Sequence, residues 1–153
     1  MNDSNPFFKN YTDPIDNSDL IKDERIVEEK KQYKAFELEA TYLDEINLLI
    51  EDYIKKQPFL LDKFSMSVLT TETKIPMHHL NLYFKNYLNT NFNTWKNKLK
   101  INYALTLIDS GILNQITIEA VALKSGFKSY SNFFTVFKNN TGISPSEYID
   151  KLK

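Results

Sequence analysis

The side chains able to do chemistry are few, and their types point away from catalysis. The chain of 153 residues has no cysteine and two histidines, His78 and His79, which are neighbours. Adjacent positions on a helix do not face each other, so these two do not make a metal pair. There is no glycine-rich phosphate loop, no His-Glu-x-x-His run and no cysteine nucleophile, which argues against an enzyme and leaves no cofactor or metal site to expect. The carboxylates concentrate in the first part of the chain and read as a solvated face. What remains is Ser125–Tyr148, SGFKSYSNFFTVFKNNTGISPSEY. Its hydroxyls, amides and lysines alternate with aromatics, the pattern of a helix that buries one side and presents the other.

Several short elements must hold that helix. Ile118–Lys124 predicts a short helix carrying Val121 and Ala122. Ser125-Gly126-Phe127 predicts a tight turn, because glycine takes positive φ without steric cost. Ser129 is placed to cap a helix over Tyr130–Asn139, buried through Phe133, Val136 and Phe137. Gly142 closes it, and Ser144-Pro145-Ser146-Glu147 predicts a capping box at the start of a final helix through Leu152.

The same succession occurs earlier in the chain. Asp62–Glu72 predicts a short helix, Lys74-Ile75-Pro76-Met77 a turn, and Met77–Leu88 a helix. In that helix Leu80, Tyr83, Phe84 and Tyr87 fall on one stripe. Asn93–Ser110 predicts a longer helix with a core face of Trp95, Leu99, Asn102, Tyr103, Thr106 and Leu107, ended by Gly111. Phe84-Lys85-Asn86 matches Phe137-Lys138-Asn139, Leu80 matches Phe133 and Trp95 matches Tyr148, all at a displacement of 53 positions. Thr70 matches Ala122 at 52, so the second turn is one residue longer. A small residue in a first helix, a tight turn and a half-polar second helix make a helix-turn-helix pattern.

Residues from Ile46 to Lys153 resemble the DNA-binding domain of the AraC/XylS family of bacterial transcription regulators. The second half carries the more specific match: Ile118, Ala122, Gly126-Phe127, Ser129, Phe133, Phe137-Lys138, Thr141-Gly142 and Ser144-Pro145-Ser146-Glu147-Tyr148. The resemblance implies an all-α fold with two helix-turn-helix subdomains joined by a long linker helix, and the apolar periodicity of residues 23–57 adds an amphipathic helix before them. It implies a sequence-specific regulator whose two recognition helices enter successive major grooves, ~34 Å apart, with promoter DNA and RNA polymerase as partners. Carried over by position, the first recognition helix offers Met77, His78, Asn81, Leu82 and Lys85. The second offers Lys128, Ser129, Tyr130, Ser131, Phe134, Thr135 and Lys138. Asn81 suits adenine, and Leu82 or Phe134 a thymine methyl. The lysines suit phosphates, which position a protein without specifying sequence.

Departures from the pattern gather in the first half. Thr70 stands for an alanine, Lys74 for a turn glycine, Pro76 for a serine cap, and Lys100 for a linker-helix arginine. Neither recognition helix has an arginine. A protein-interaction module that has lost DNA affinity is therefore the competing reading.

The amino-terminal part differs in kind. Residues 1–61 carry 8 Lys and Arg against 14 Asp and Glu, whereas residues 62–153 carry 11 against 6. This tilt gives weak support to a polyanionic partner for the second part. Residues 1–22 read as a flexible acidic tail. Residues 23–57 lack glycine and proline and read as one long amphipathic helix, ended at Gln57-Pro58. Ile26, Tyr33, Ala40, Asn47 and Ile54 share one seam position, and Phe36, Leu43 and Ile50 the other. Two readings are open for it: docking of Tyr42–Ile54 on the domain at 58–153, or a homodimer through residues 26–54 with Asn47 setting register. The chain is either the carboxyl-terminal portion of a larger, membrane-tethered or soluble regulator, or a small regulator in itself. No apolar run reaches the ~18–20 residues of a membrane span, and the amino end lacks a signal-peptide pattern, so a cytoplasmic location is expected.

Overall fold

The computed structural model describes residues 38–153. The tail over 1–22 and the predicted helix before Leu38 lie outside the described residues. Within them the chain forms seven α-helices: α1 Ala40–Ile54, α2 Met66–Thr73, α3 Met77–Leu82, α4 Phe92–Asp109, α5 Ile118–Lys124, α6 Tyr130–Thr141 and α7 Pro145–Lys151. No strand occurs among the described residues. This is the expected all-α architecture. None of the described helices is long and apolar enough to cross a membrane.

Capping chemistry sets most of the boundaries. The side chains of Ser65, Asn91, Thr117, Ser129 and Ser144 each accept a hydrogen bond from a backbone N–H in the first turn of the helix that follows. Each satisfies a donor the helix cannot satisfy itself. At Ser144 the box is complete, because Glu147 also accepts from the Ser144 N–H at 2.7 Å. The exits are left-handed: Gln57, Lys74, Gly111, Gly126 and Gly142 all have positive φ.

Two hydrophobic clusters form, and α4 belongs to both. The first gathers Ile46 and Ile50 of α1 with Phe59, Phe64, Leu69, Leu80, Tyr83, Phe84 and Phe92. Phe64, Phe84, Phe92 and Trp95 interlock as rings 5.0–6.4 Å apart. The second gathers Ile101, Ala104 and Ile108 of α4 with Val121, Ala122, Phe127, Phe133 and Phe137. A buried phenylalanine or isoleucine side chain contributes about 1.5–3 kcal/mol, so these clusters supply the main favourable term holding the helices together.

Three expectations about helix faces are corrected. The linker helix does not use one core stripe. Trp95, Leu99 and Tyr103 pack on the first cluster, but Ile101, Ala104 and Ile108 are the residues buried in the second, and Asn102 and Thr106 are exposed. A helix gripped from different sides at its two ends has no single amphipathic face. Tyr87 is 45% exposed. The chain over Tyr83–Tyr87 forms a wide π turn, with the Leu88 N–H donating to the Tyr83 carbonyl at 3.0 Å. The extra residue moves Leu88 inward in place of Tyr87. Finally, the helix expected over 23–57 is not helical at Leu38 and Glu39, and its described part runs from Ala40 to Ile54. Helix α1 belongs to the same compact unit as the rest, Leu38–Lys153.

Gly126 and Gly142 share a φ of +81° but stand in different surroundings. A Cβ on Gly126 would meet the Leu60 Cα at 3.0 Å and the Phe59 and Leu60 carbonyl oxygens at 3.1 Å, whereas one on Gly142 would meet nothing within 4 Å. Gly142→Ala should cost about 1 kcal/mol from positive φ alone. Gly126→Ala should cost about 3 kcal/mol, since overpacking adds roughly 1–3 kcal/mol to that strain. Urea unfolding midpoints of the two variants check the difference.

Candidate nucleic-acid interface

The two helix-turn-helix units are α2–α3 and α5–α6. In each, a first helix presents a small residue to the second, and a left-handed residue makes the turn. Gly126 does so in the second unit, and Lys74, at φ +62°, does so in the first. The residue after each, Ile75 or Phe127, is buried. The substituted turn of the first unit thus keeps its geometry despite its side chain. Thr70 keeps its place too, but its hydroxyl is buried without a hydrogen-bond partner. Ala122, its counterpart, has no such group to satisfy.

The side chains carried over from the resemblance lie mostly in solvent. Met77, His78, Asn81 and Lys85 are exposed on the first presenting helix, with Leu82 half-buried. On the second, Lys128, Ser129, Ser131, Phe134, Thr135 and Lys138 are exposed and Tyr130 is half-buried. At the common displacement of 53, Met77, His78, Asn81, Leu82 and Lys85 fall on Tyr130, Ser131, Phe134, Thr135 and Lys138. Each helix therefore offers positions one, two, five, six and nine, which share a face at helical spacing.

Local contacts narrow what some of these groups can do. The Ser129 hydroxyl accepts from the Asn132 N–H at 3.2 Å as a cap. The Thr135 hydroxyl donates to the Ser131 carbonyl at 3.1 Å. Lys138 lies near Glu147, whose carboxyl is held below the usual range by the Ser144 hydroxyl and amide, with Lys138 and Lys151 reinforcing this. The Phe134 and Tyr130 rings are 6.3 Å apart, tilted, on the surface above the buried Phe133. Asn81 and Lys85 line one groove of about 450 Å³ with Met66, Thr90, Asn91 and Asn93. Thr90, Asn91 and Asn93 are not among the positions carried over from the resemblance. The run from Asn89 to Thr94 was the signal that could have drawn attention to them.

Behind the first presenting helix, α1 makes a polar clasp. The Tyr42 hydroxyl and His79 Nδ1 are 2.8 Å apart, and the Tyr83 hydroxyl donates to Asn47 Oδ1 at 2.6 Å. Asn47 Nδ2 in turn donates to Glu51 at 2.9 Å. His79 thus faces inward while His78 faces solvent. Burial, and next the charge of His78, pushes His79 below the ordinary histidine range.

The helix-turn-helix domain family matches the chain over residues 69–151, more than half its length. The chain belongs to the AraC-type helix-turn-helix family. The family is one of transcriptional regulators rather than enzymes. The chain is 40% identical over 56 residues to the TCP pilus virulence regulatory protein of Vibrio cholerae serotype O1, a stretch that is 37% of this chain and 19% of that protein. It therefore spans only about a fifth of that relative's length. Among solved structures it is similar to a DNA-binding transcriptional dual regulator from Escherichia coli K-12, with a TM-score of 0.58 and 21% identity over 69% of this chain and 96% of that one. A second likeness is the C-terminal domain of the two-component response regulator yesN from Fusobacterium nucleatum, with a TM-score of 0.56 and 22% identity over 67% and 96% of the two chains. These two structures support the fold.

The burial of Tyr83 has a pH signature. Burial, then Tyr87 and Glu51, pushes Tyr83 from 10.0 up to about 12. An unfolded tyrosine ionises near 10, so the stability this adds is whole below pH ~10 and is lost as pH rises through the folded value. Unfolding midpoints should therefore fall at alkaline pH. In Tyr83→Phe the fall should be smaller, from a starting point about 1 kcal/mol lower.

Proposed function

We propose that this chain is a sequence-specific DNA-binding transcriptional regulator that sets α3 and α6 into successive major grooves of promoter DNA. The observation that carries the reading is the paired display. Two helices related by a displacement of 53 present the same five positions above closed cores, three of them exposed on both helices (His78 and Ser131, Asn81 and Phe134, Lys85 and Lys138), and each ends that face in a lysine. Lysine there suits phosphate, which positions the protein on the duplex. RNA polymerase is the second partner the reading implies, and the cytoplasm its location.

The amino-terminal helix enters this proposal as a docked element rather than a dimer seam. Asn47, which would set register in a paired helix, spends its amide on Tyr83 and Glu51. In a self-associating helix that amide would face its copy.

Binding to promoter duplexes should weaken steeply with salt, with a log–log slope of about −0.9 per phosphate neutralised. Lys138→Ala should weaken all sequences alike and make the slope shallower by about one unit. Titrations by fluorescence anisotropy at several salt concentrations test this. A flat response would favour the protein-interaction reading, in which Met77, Leu82, Tyr130 and Phe134 meet another protein.

A further inference from the structure

The base-facing part of this surface lacks the group most used to read guanine. The chain has one arginine, Arg25, so residues 38–153 have none. Bidentate arginine to guanine O6 and N7 is the commonest specific contact in the major groove. Lysine can also read guanine, but Lys85 and Lys138 stand two turns beyond the first exposed residue of their helices. Lys85 lies in the π turn beside Thr90 and Asn91, and Lys138 lies near Glu147. Recognition helices reach base edges with their amino-terminal residues, so both lysines are placed for the backbone. Lys128 precedes the cap of α6 altogether.

Of the positions left to meet bases, Met77, Leu82, Tyr130 and Phe134 are apolar or aromatic and Asn81 is an amide, while His78, Ser131 and Thr135 add an imidazole and two hydroxyls. A hydroxyl pairs with either kind of base, and that of Thr135 is already donated within its helix. Met77 pairs with Tyr130 and Asn81 with Phe134 under the displacement of 53, and none of the four is charged. Met77 is 44% exposed and Phe134 36%. Both lie over cores that are already closed, since Leu80 beneath α3 and Phe133 and Phe137 beneath α6 are fully buried. Their exposure is therefore not demanded by packing. The major groove offers one apolar group, the thymine methyl, and adenine N6 and N7 match the donor and acceptor of an asparagine amide.

We infer that the chain recognises A·T-rich duplex, with Met77 and Phe134 on thymine methyls and Asn81 on an adenine edge. This rests on the DNA-binding reading above. Specificity is then carried by methyl contacts, each worth about a fourfold change in affinity, rather than by charged forks.

The test is selection of bound sites from a pool of random duplexes, followed by replacement of thymine with uracil in the selected site. Uracil keeps the base pair and removes the methyl. The selected sites should be A·T-rich, and the uracil duplex should bind about fourfold more weakly for each contacted methyl. Phe134→Ala should remove the uracil sensitivity of one half-site and leave that of the other, the retained half-site showing that the variant is folded. Met77→Ala should do the same for the opposite half-site. G·C-rich selected sites, or equal affinity for thymine and uracil duplexes, would overturn the inference and leave DNA binding intact. Recovery of no bound duplex at low salt would overturn both this inference and the reading beneath it.

Discussion

Backbone approaches backbone where the turn of the second unit meets the short helical turn after α1. Gly126 sits so near Phe59 and Leu60 that a Cβ would be 3.0 Å from the Leu60 Cα. Lys100 of the linker helix closes the junction, donating from Nζ to the Gly126 carbonyl and lying 5.3 Å from the centre of the Phe127 ring. Burial pushes Lys100 below the ordinary lysine range, Lys96 adds to this, Asp62 opposes it and Lys128 adds again. The placing of the second turn against the first unit thus rests on main-chain contact, closed by one lysine side chain.

The first unit depends on a different support. Its turn has a lysine in place of glycine and its presenting helix starts at Pro76 with no side-chain cap. Helix α1 compensates from behind, with Ile46 and Ile50 in the core and Tyr42 and Asn47 bonded to His79 and Tyr83. The π turn at Tyr83–Tyr87 lies where that clasp attaches, and such turns recur at functional sites. The second unit carries more of its supports locally. Its glycines and its Thr117, Ser129 and Ser144 caps lie within its own chain segment.

Much of this was legible from residue types. Gly126, Gly142, Ser129 and the Ser144–Glu147 box each have one dominant local use, and each is put to that use. Phe84, Phe133 and Phe137 recur at helical spacing and are buried as expected. The faces of α4 were not legible, because periodicity assumes one partner and α4 has two on different sides. Tyr87 was misjudged for a similar reason, since a 3.6-residue period cannot announce a π turn. The roles of Asn47, His79 and Lys100 were hidden as well. Their partners lie 26–37 positions away in the chain, and neither end of such a bond shows the other in sequence.

The sequence by itself determined the elements and their duplication. Caps, turn glycines and apolar spacing act over a few residues, so their physics is complete within a short window. It also determined the chemical character of the presented faces, which hold two lysines, one amide, hydroxyls and aromatic and apolar groups and have no arginine. Only the tertiary structure decided what holds those faces in place. The Gly126–Leu60 approach, the Lys100 bond and the clasp between α1 and the first presenting helix form between segments that meet only after folding. Whether a methionine or phenylalanine at helical spacing is core or surface is likewise settled by what packs beneath it. Met77 and Phe134 lie over cores already filled by Leu80, Phe133 and Phe137, and each keeps more than a third of its surface exposed.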